Sequence, residues 1–305
     1  MKTFKICLLG LFLIAGSLSA QNVNIVKRYK VNGNEVKGTC PVLSPAGDKL
    51  LFTSENQKGL WLYDLNTKEL ITICESEGAG YAPIFNADGT KIFYRKTIYQ
   101  NRRKLDAIES FDLVKKQKIE MISPQRNLAH LQNYQNGFLV STDRKLLKAT
   151  FGKTKNNVPP YVCTEDLKLV VYANGKRTEL NPIGENNARY IWVSLSPDNK
   201  KILFTVAGKG TYVSDLEGKI TASLGYLNAP VWYNNDYVIG MQDKDDGHFI
   251  TASKVLLVSL NGKIKMPLSL ENEIAMYPSA SSKGNKVAYN QLQGDIIIVE
   301  LDVKP

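Results

Sequence analysis

An all-β ring of small antiparallel sheets is predicted by two features of the chain, a pattern written five times and a spacing between copies. The copies are CPVLSPAGDKLLFTS from Cys40, APIFNADGTKIFYR from Ala82, WVSLSPDNKKILFT from Trp192, APVWYNNDYVIGM from Ala229 and YPSASSKGNKVAYN from Tyr277. Each reads as a short strand, a Gly/Asp/Asn-rich turn and a second apolar strand. The aligned positions Pro41, Pro83, Val193, Pro230 and Pro278 lie 42, 110, 37 and 48 residues apart, so the long gap has room for one degenerate copy. A period of about 40–45 residues with four strands per unit is the signature of a β-propeller. Six units give six four-stranded blades.

The N-terminus is set apart from this ring. Lys2 and Lys5 precede an apolar run from Ile6 to Ala15, and the small residues Gly16, Ser17, Ser19 and Ala20 follow. This is the pattern of a signal peptide cut after Ala20, which leaves 21–305 as one propeller domain. The apolar run is too short to span a bilayer, and no other stretch approaches the length needed. The chain is therefore expected to be periplasmic or secreted, and monomeric.

The first blade reads as strands 39–44, 49–54, 59–65 and 68–74, the second as about 81–122. The third is recovered from Gly137–Ser141 as second strand, 167–175 as third and 176–180 as fourth. The fourth unit occupies about 189–224 and the fifth 228–268. Asn174-Gly175, Glu217-Gly218 and Asn261-Gly262, each followed by Lys, mark hairpins between third and fourth strands. The sixth unit shows strands near 276–281, 286–290 and 295–301 and lacks a fourth. NIVKRYKV at 24–31 has no unit of its own, so it is expected to supply that strand and close the ring.

The turns carry a resemblance. Leu43-Ser44-Pro45-Ala46-Gly47-Asp48, Phe85-Asn86-Ala87-Asp88-Gly89 and Leu195-Ser196-Pro197-Asp198-Asn199 resemble the TolB-type, WD-like propeller repeat. The likeness spans essentially the whole mature chain and implies fold rather than activity. Asp88 and Asp198 then close turns. The separate α/β domain of TolB has no counterpart in the 18 or so residues before the first blade, and the Gly-x-Ser-x-Gly elbow of propeller-bearing peptidases does not occur.

The formal net charge is +10; the leader takes two lysines and no acid with it, leaving +8. For an exported chain, nucleic acid is not the expected counterpart; an acidic protein, glycan or lipid surface is. Cys40, Cys74 and Cys163 remain after the leader. Cys40 opens the innermost strand of the first blade and Cys74 ends its outermost, about 14 Å away at about 4.8 Å per strand, and a disulfide needs Cα atoms within about 7 Å.

His130 and His248 are the only histidines, too few for a multi-imidazole metal centre, and Asp243-Lys244-Asp245-Asp246-Gly247 misplaces its Gly for a calcium loop. No cofactor and no metal are expected. Trp61 and Trp232 read as core, whereas Trp192 begins a channel-lining strand. Second-to-third connections share one face with the links between blades, and they are long at about 96–108, 145–166 and 242–253. The candidate binding surface is therefore that face, with Tyr81, Arg102, Arg103, Arg189, Trp192 and Tyr277. The sequence predicts a non-catalytic binding or scaffolding propeller that docks a protein or glycan in the cell envelope. The alternative is a glycan-active lyase or hydrolase with a carboxylate or metal site in the channel.

Overall fold

A computed structural model describes residues 23–31, 36–152 and 157–303, so the leader expected at residues 1–20, with its expected cleavage site, lies outside the described residues. Among the described residues there is no helix, and seven antiparallel sheets follow one another along the chain. The first strand, β1 (Val23–Lys30), belongs to the last sheet. Blade one holds β2 (Thr39–Leu43), β3 (Lys49–Thr53), β4 (Leu60–Asp64) and β5 (Leu70–Cys74). Blade two holds β6 (Ile84–Phe85), β7 (Lys91–Gln100), β8 (Arg103–Asp112) and β9 (Gln117–Gln125). Blades three and four are three-stranded: β10 (Gln132–Tyr134), β11 (Gly137–Thr142) and β12 (Lys145–Thr150), then β13 (Tyr161–Glu165), β14 (Lys168–Ala173) and β15 (Lys176–Leu180).

The remaining blades are four-stranded again. Blade five is β16 (Tyr190–Leu195), β17 (Lys201–Val206), β18 (Gly210–Asp215) and β19 (Ile220–Gly225). Blade six is β20 (Asn228–Trp232), β21 (Tyr237–Asp245), β22 (Ile250–Ser259) and β23 (Lys265–Pro267). Blade seven is β24 (Ala275–Ala280), β25 (Lys286–Gln291) and β26 (Ile296–Val303), and β1 pairs antiparallel with β26 from Val23↔Val303 to Lys30↔Ile297. The first and last strands of the chain thus share one sheet. Arg28 on β1 locks it there, reaching Glu273 and the Tyr289 hydroxyl, and Tyr289 donates to Glu273 at 2.8 Å.

The expectation of six four-stranded blades is corrected to seven blades, and the third unit is the cause. Its supposed 145–166 connection is not a loop. Lys145–Thr150 turns back tightly on β11 through Asp143-Arg144, and Tyr161–Glu165 opens a new sheet with β14. Both Asp143 and Arg144 are left-handed (φ 44° and 61°), as are Asp166 and Leu167 (51° and 63°), the two-residue hairpin geometry that usually recruits glycine.

Hydrogen bonds place these strands within the ring. In blades one and seven the turn between second and third strands accepts from the chain entering the next blade: Gly80 N–H to Gln57 O, and Gly38 N–H to Gly294 O. Tyr190 N–H donates in the same way to Leu167 O at 2.7 Å. The β13–β14 turn is therefore a second-to-third turn, and Asn174-Gly175 joins third to fourth strand as the sequence predicts. Among the described residues, blade three lacks its outer strand and blade four its innermost one. Six repeats thus make seven sheets.

Between blades, apolar faces interlock in layers. Leu51, Leu62, Ile73, Tyr94 and Phe111 fill the space between blades one and two, and Phe93, Ile108, Phe138 and Val140 that between two and three. The second strands, buried on both faces, are the continuous apolar runs the sequence shows, KLLFT, GFLVST and KILFTV.

Candidate functional site

The innermost strands share an irregularity that shapes the centre. In β2, β16, β20 and β24, two residues face one on the neighbouring strand: the register jumps between Thr39 and Val42, Ile191 and Ser194, Asn228 and Val231, and Met276 and Ser279. The first bulged residue is left-handed each time: Cys40 (φ 52°), Trp192 (50°), Ala229 (44°) and Tyr277 (51°), with Ala82 (47°) at the equivalent place in blade two. None is glycine, so each carries strain of about 1 kcal/mol that its surroundings must hold. The Pro of the repeat occupies the second bulge position in blades one, six and seven, where it need not donate to the ladder.

Neighbouring blades hold the bulges in place. Asn290 Oδ1 accepts from Cys40 N–H at 3.1 Å, and Met241 Sδ from Tyr277 N–H at 3.5 Å. In blade three a side chain does the corresponding work. The Tyr161 hydroxyl donates to His130 O at 2.8 Å and accepts from Ser141 N–H at 3.2 Å. Buried Arg95 on β7 donates to the carbonyls of Leu128 (2.8 Å) and Ala129 and sits against the Tyr81 ring, 5.0 Å from its centroid. Burial lowers the Arg95 pKa, with Asp106 opposing.

The bulges surround a central cavity of about 580 Å³. Cys40, Tyr81, His130, Thr164, Trp192 and Tyr277 line it from different blades, together with the repeat's prolines, Trp232, Ser194 and Ser279. Gln57 and Gly80 also line it, which places the cavity toward the end where second-to-third turns emerge. Tyr81 and Trp192 remain substantially exposed, at 47% and 41%. His130 stacks on Tyr161 with ring centroids 5.6 Å apart, and burial, then Arg95, pushes its pKa down to about 4. It is a neutral imidazole at physiological pH.

Of the six residues singled out in the sequence, the fold brings Tyr81, Trp192 and Tyr277 together around this cavity. Arg102 and Arg103 do not line it; they stand exposed at the tip of the β7–β8 hairpin, whose ladder runs unbroken from Lys91↔Asp112 to Gln100↔Arg103. Arg189 is exposed and also lies outside the lining. The extensions at 96–108 and 242–253 are thus projecting β-hairpins rather than loops, and Phe249 crowns the second with 75% exposure. Sequence reading missed Arg95, although an Arg inside the buried run KIFYR was a visible signal.

Among the described residues, no group of three or more His, Cys, Asp or Glu is placed to hold a metal ion, and no carboxylate is among the cavity's lining residues. Asp245 and Asp246 accept the backbone N–H groups of Gly247, His248 and Phe249 within their own turn. Asp88 and Asp198 likewise accept from Thr90 and Lys200. Cys40, Cys74 and Cys163 are all free thiols.

No protein-family profile matches the chain, and no curated protein sequence matches it. Among solved structures it is similar to the crystal structure of TolB from Acinetobacter baumannii, at 19% identity and a TM-score of 0.51, over 79% of this chain and 56% of that one. It therefore spans little more than half of that TolB chain. It is also similar to the Myceliophteria thermophila Cps50 (Swd1) beta-propeller domain, at 11% identity and a TM-score of 0.58, over 92% and 99% of the two chains. An oligogalacturonate lyase in complex with manganese aligns at 13% identity and a TM-score of 0.47, over 86% and 76%, too distantly to inform the site. At these identities the likeness establishes the β-propeller fold. No helix among the described residues is long and apolar enough to cross a membrane.

Proposed function

We propose that this protein is an exported, non-catalytic binding propeller of the cell envelope, periplasmic or secreted, which docks a protein or glycan on the face where its two long hairpins project. The observation that carries the reading is the convergence of Tyr81, Trp192 and Tyr277, drawn from three blades, around one cavity at that end of the ring. Exposed aromatic side chains held by rigid backbone are the groups that most often dominate binding energies. Arg102 and Arg103 at one hairpin tip and Phe249 at the other extend the same face outward. Export rests on the leader pattern of residues 1–20 alone.

Capture from envelope extract tests the proposal. Wild type should retain a partner that Trp192→Ala and Arg102→Ala/Arg103→Ala lose in whole or part, while Asp198→Asn in an opposite-face turn has no effect. Equal capture by all variants, or loss only with the Asp198 change, would place the interaction elsewhere.

A further inference from the structure

Every blade of a propeller ends in a strand with one free edge, but blade three ends a strand early. Among the described residues β12 pairs with β11 alone, whereas the third strand of each other blade carries a fourth. Its free edge therefore lies about 4.8 Å inside the rim, with the side of blade four beside it. The pair flanking a two-residue hairpin turn is hydrogen-bonded, so Lys145 bonds back to Thr142. The alternation of the ladder then turns the N–H and C=O groups of Leu146, Lys148 and Thr150 outward, and none of them has a partner among the described residues. The side chains are short of cover too. Leu146 and Leu147 are half-buried, where Leu62 and Tyr63 on β4 or Val170 and Val171 on β14 are buried.

The space over this edge is a groove of about 790 Å³. Leu146 and Leu147 of β12 form one wall, and Tyr172 and Arg177 of blade four the other. Its lining holds three cations, Arg144, Lys145 and Arg177, and no Asp or Glu. Two of the three have partners outside the lining: Arg144 lies 3.9 Å from Asp166, and Arg177 2.6 Å from Glu165. Lys145, and Lys148 farther along the same edge, are exposed and form no ion pair among the described residues.

Blade seven shows how this ring completes a blade. There β1, distant in sequence, adds antiparallel to the third strand β26 and is held by an ion pair between Arg28 and Glu273. We infer that β12 and its groove accept an extended, acidic segment of another protein as the missing fourth strand of blade three, its backbone pairing with Leu146, Lys148 and Thr150 and its carboxylates meeting the groove's cations. Charge separates this occupant from nearer ones. Residues 1–22 of the chain itself carry two lysines and no Asp or Glu. A second copy laid edge to edge would set the lysines of two β12 strands against each other. The site is distinct from the cavity face, and neither role depends on the other.

Two fluorescein-labelled peptides, each as long as β1 at eight residues, test the assignment by anisotropy: one alternates Val and Glu, the other Val and Lys. In dilute buffer the acidic peptide should bind about tenfold more tightly than the basic one, and that advantage should vanish in about 1 M salt. Hydrogen exchange at the Leu146, Lys148 and Thr150 amides should slow in the complex. Lys148→Pro removes an outward N–H without touching the ladder to β11, and should weaken binding about tenfold or more. Lys145→Glu/Lys148→Glu should reverse the preference, which keeps the test decisive if the proline disturbs β12. Trp192→Ala, on the cavity face, should bind the acidic peptide as wild type does. The inference is overturned if the acidic peptide does not bind, if the basic one binds as tightly, if the preference survives charge reversal, or if the slowed amides lie elsewhere. Wild-type dimers that Lys148→Pro dissociates would make a second copy the occupant and overturn it as well.

Discussion

Acidification from pH 7.5 to 5.0 isolates the energetic state of one cavity residue. His130 is held neutral, with its pKa pushed down to about 4 chiefly by burial and secondarily by Arg95, against an unfolded value of about 6.5. Above about 6.5 neither state binds the proton and the group is silent. As the pH falls toward 4 the unfolded chain takes up a proton that the folded ring refuses, so stability is lost across that window. At pH 5.0 the difference amounts to about 2 kcal/mol, an upper figure because the ring borders a cavity that admits water.

The carboxylates do not interfere. Glu165, despite its burial, is held below the usual range by Tyr172, Ser141 and Arg177, and Glu273 by Leu270 N–H, Arg28 and Tyr289, so their losses come at lower pH. Urea unfolding of wild type and His130→Gln at both pH values gives the double difference, in which the chain's general cationic repulsion cancels. Wild type should lose about 1–2 kcal/mol more than the variant on acidification. Identical losses, or a larger loss in the variant, would refute the argument.

Other perturbations reach other parts of the ring. Deleting residues 21–31 removes β1 and should abolish a cooperative thermal transition near the wild-type temperature, because β26 then has an open edge. Arg28→Met leaves Glu273, whose side chain is only 9% exposed, without its cation, and should cost about 3 kcal/mol in urea unfolding, part of it recovered by adding Glu273→Gln. Leu167→Gly relieves a left-handed residue in an exposed turn and should raise stability by up to about 1 kcal/mol, read as a higher melting temperature. In protein lacking residues 1–20, Cys40 should be the first thiol alkylated, since Cys74 and Cys163 are buried, and slowly, since burial raises its pKa.

Which parts of this were legible in the sequence follows from which signals are local. Pro41, Pro83, Val193, Pro230 and Pro278, aligned across the copies, marked the inner strands, and those same positions placed Tyr277 and Trp192 at the cavity. Asn174-Gly175 announced its hairpin because glycine reports a left-handed backbone directly. Asn101-Arg102, Asp143-Arg144 and Asp166-Leu167 adopt the same left-handed pair without glycine, and so they read as loop. The seventh sheet was hidden by the second and third of these turns. The arginines misled in a different way: exposure and charge at Arg102, Arg103 and Arg189 say nothing about which way a hairpin tip or a link points. The ring's closure by β1 was legible by strand counting, since it needed only an unmatched strand at each end.

The circumference of the ring gives the basic composition a further meaning. Each blade ends in an outer strand whose free backbone groups invite pairing with another molecule. Five of the seven carry lysine there: Lys27 and Lys30 on β1, Lys118 on β9, Lys145 and Lys148 on β12, Lys176 on β15 and Lys265 on β23. β12 has most need of it, because the strand that would cover it is the one blade three lacks. Two rings approaching rim to rim bring like charges together before any ladder can form. That barrier weakens as salt shortens the screening length from about 10 Å at 0.1 M to about 3 Å at 1 M. Stacking of one ring against another is thus a property of ionic strength, and light scattering should find single rings in dilute buffer and rim-to-rim aggregates in concentrated salt.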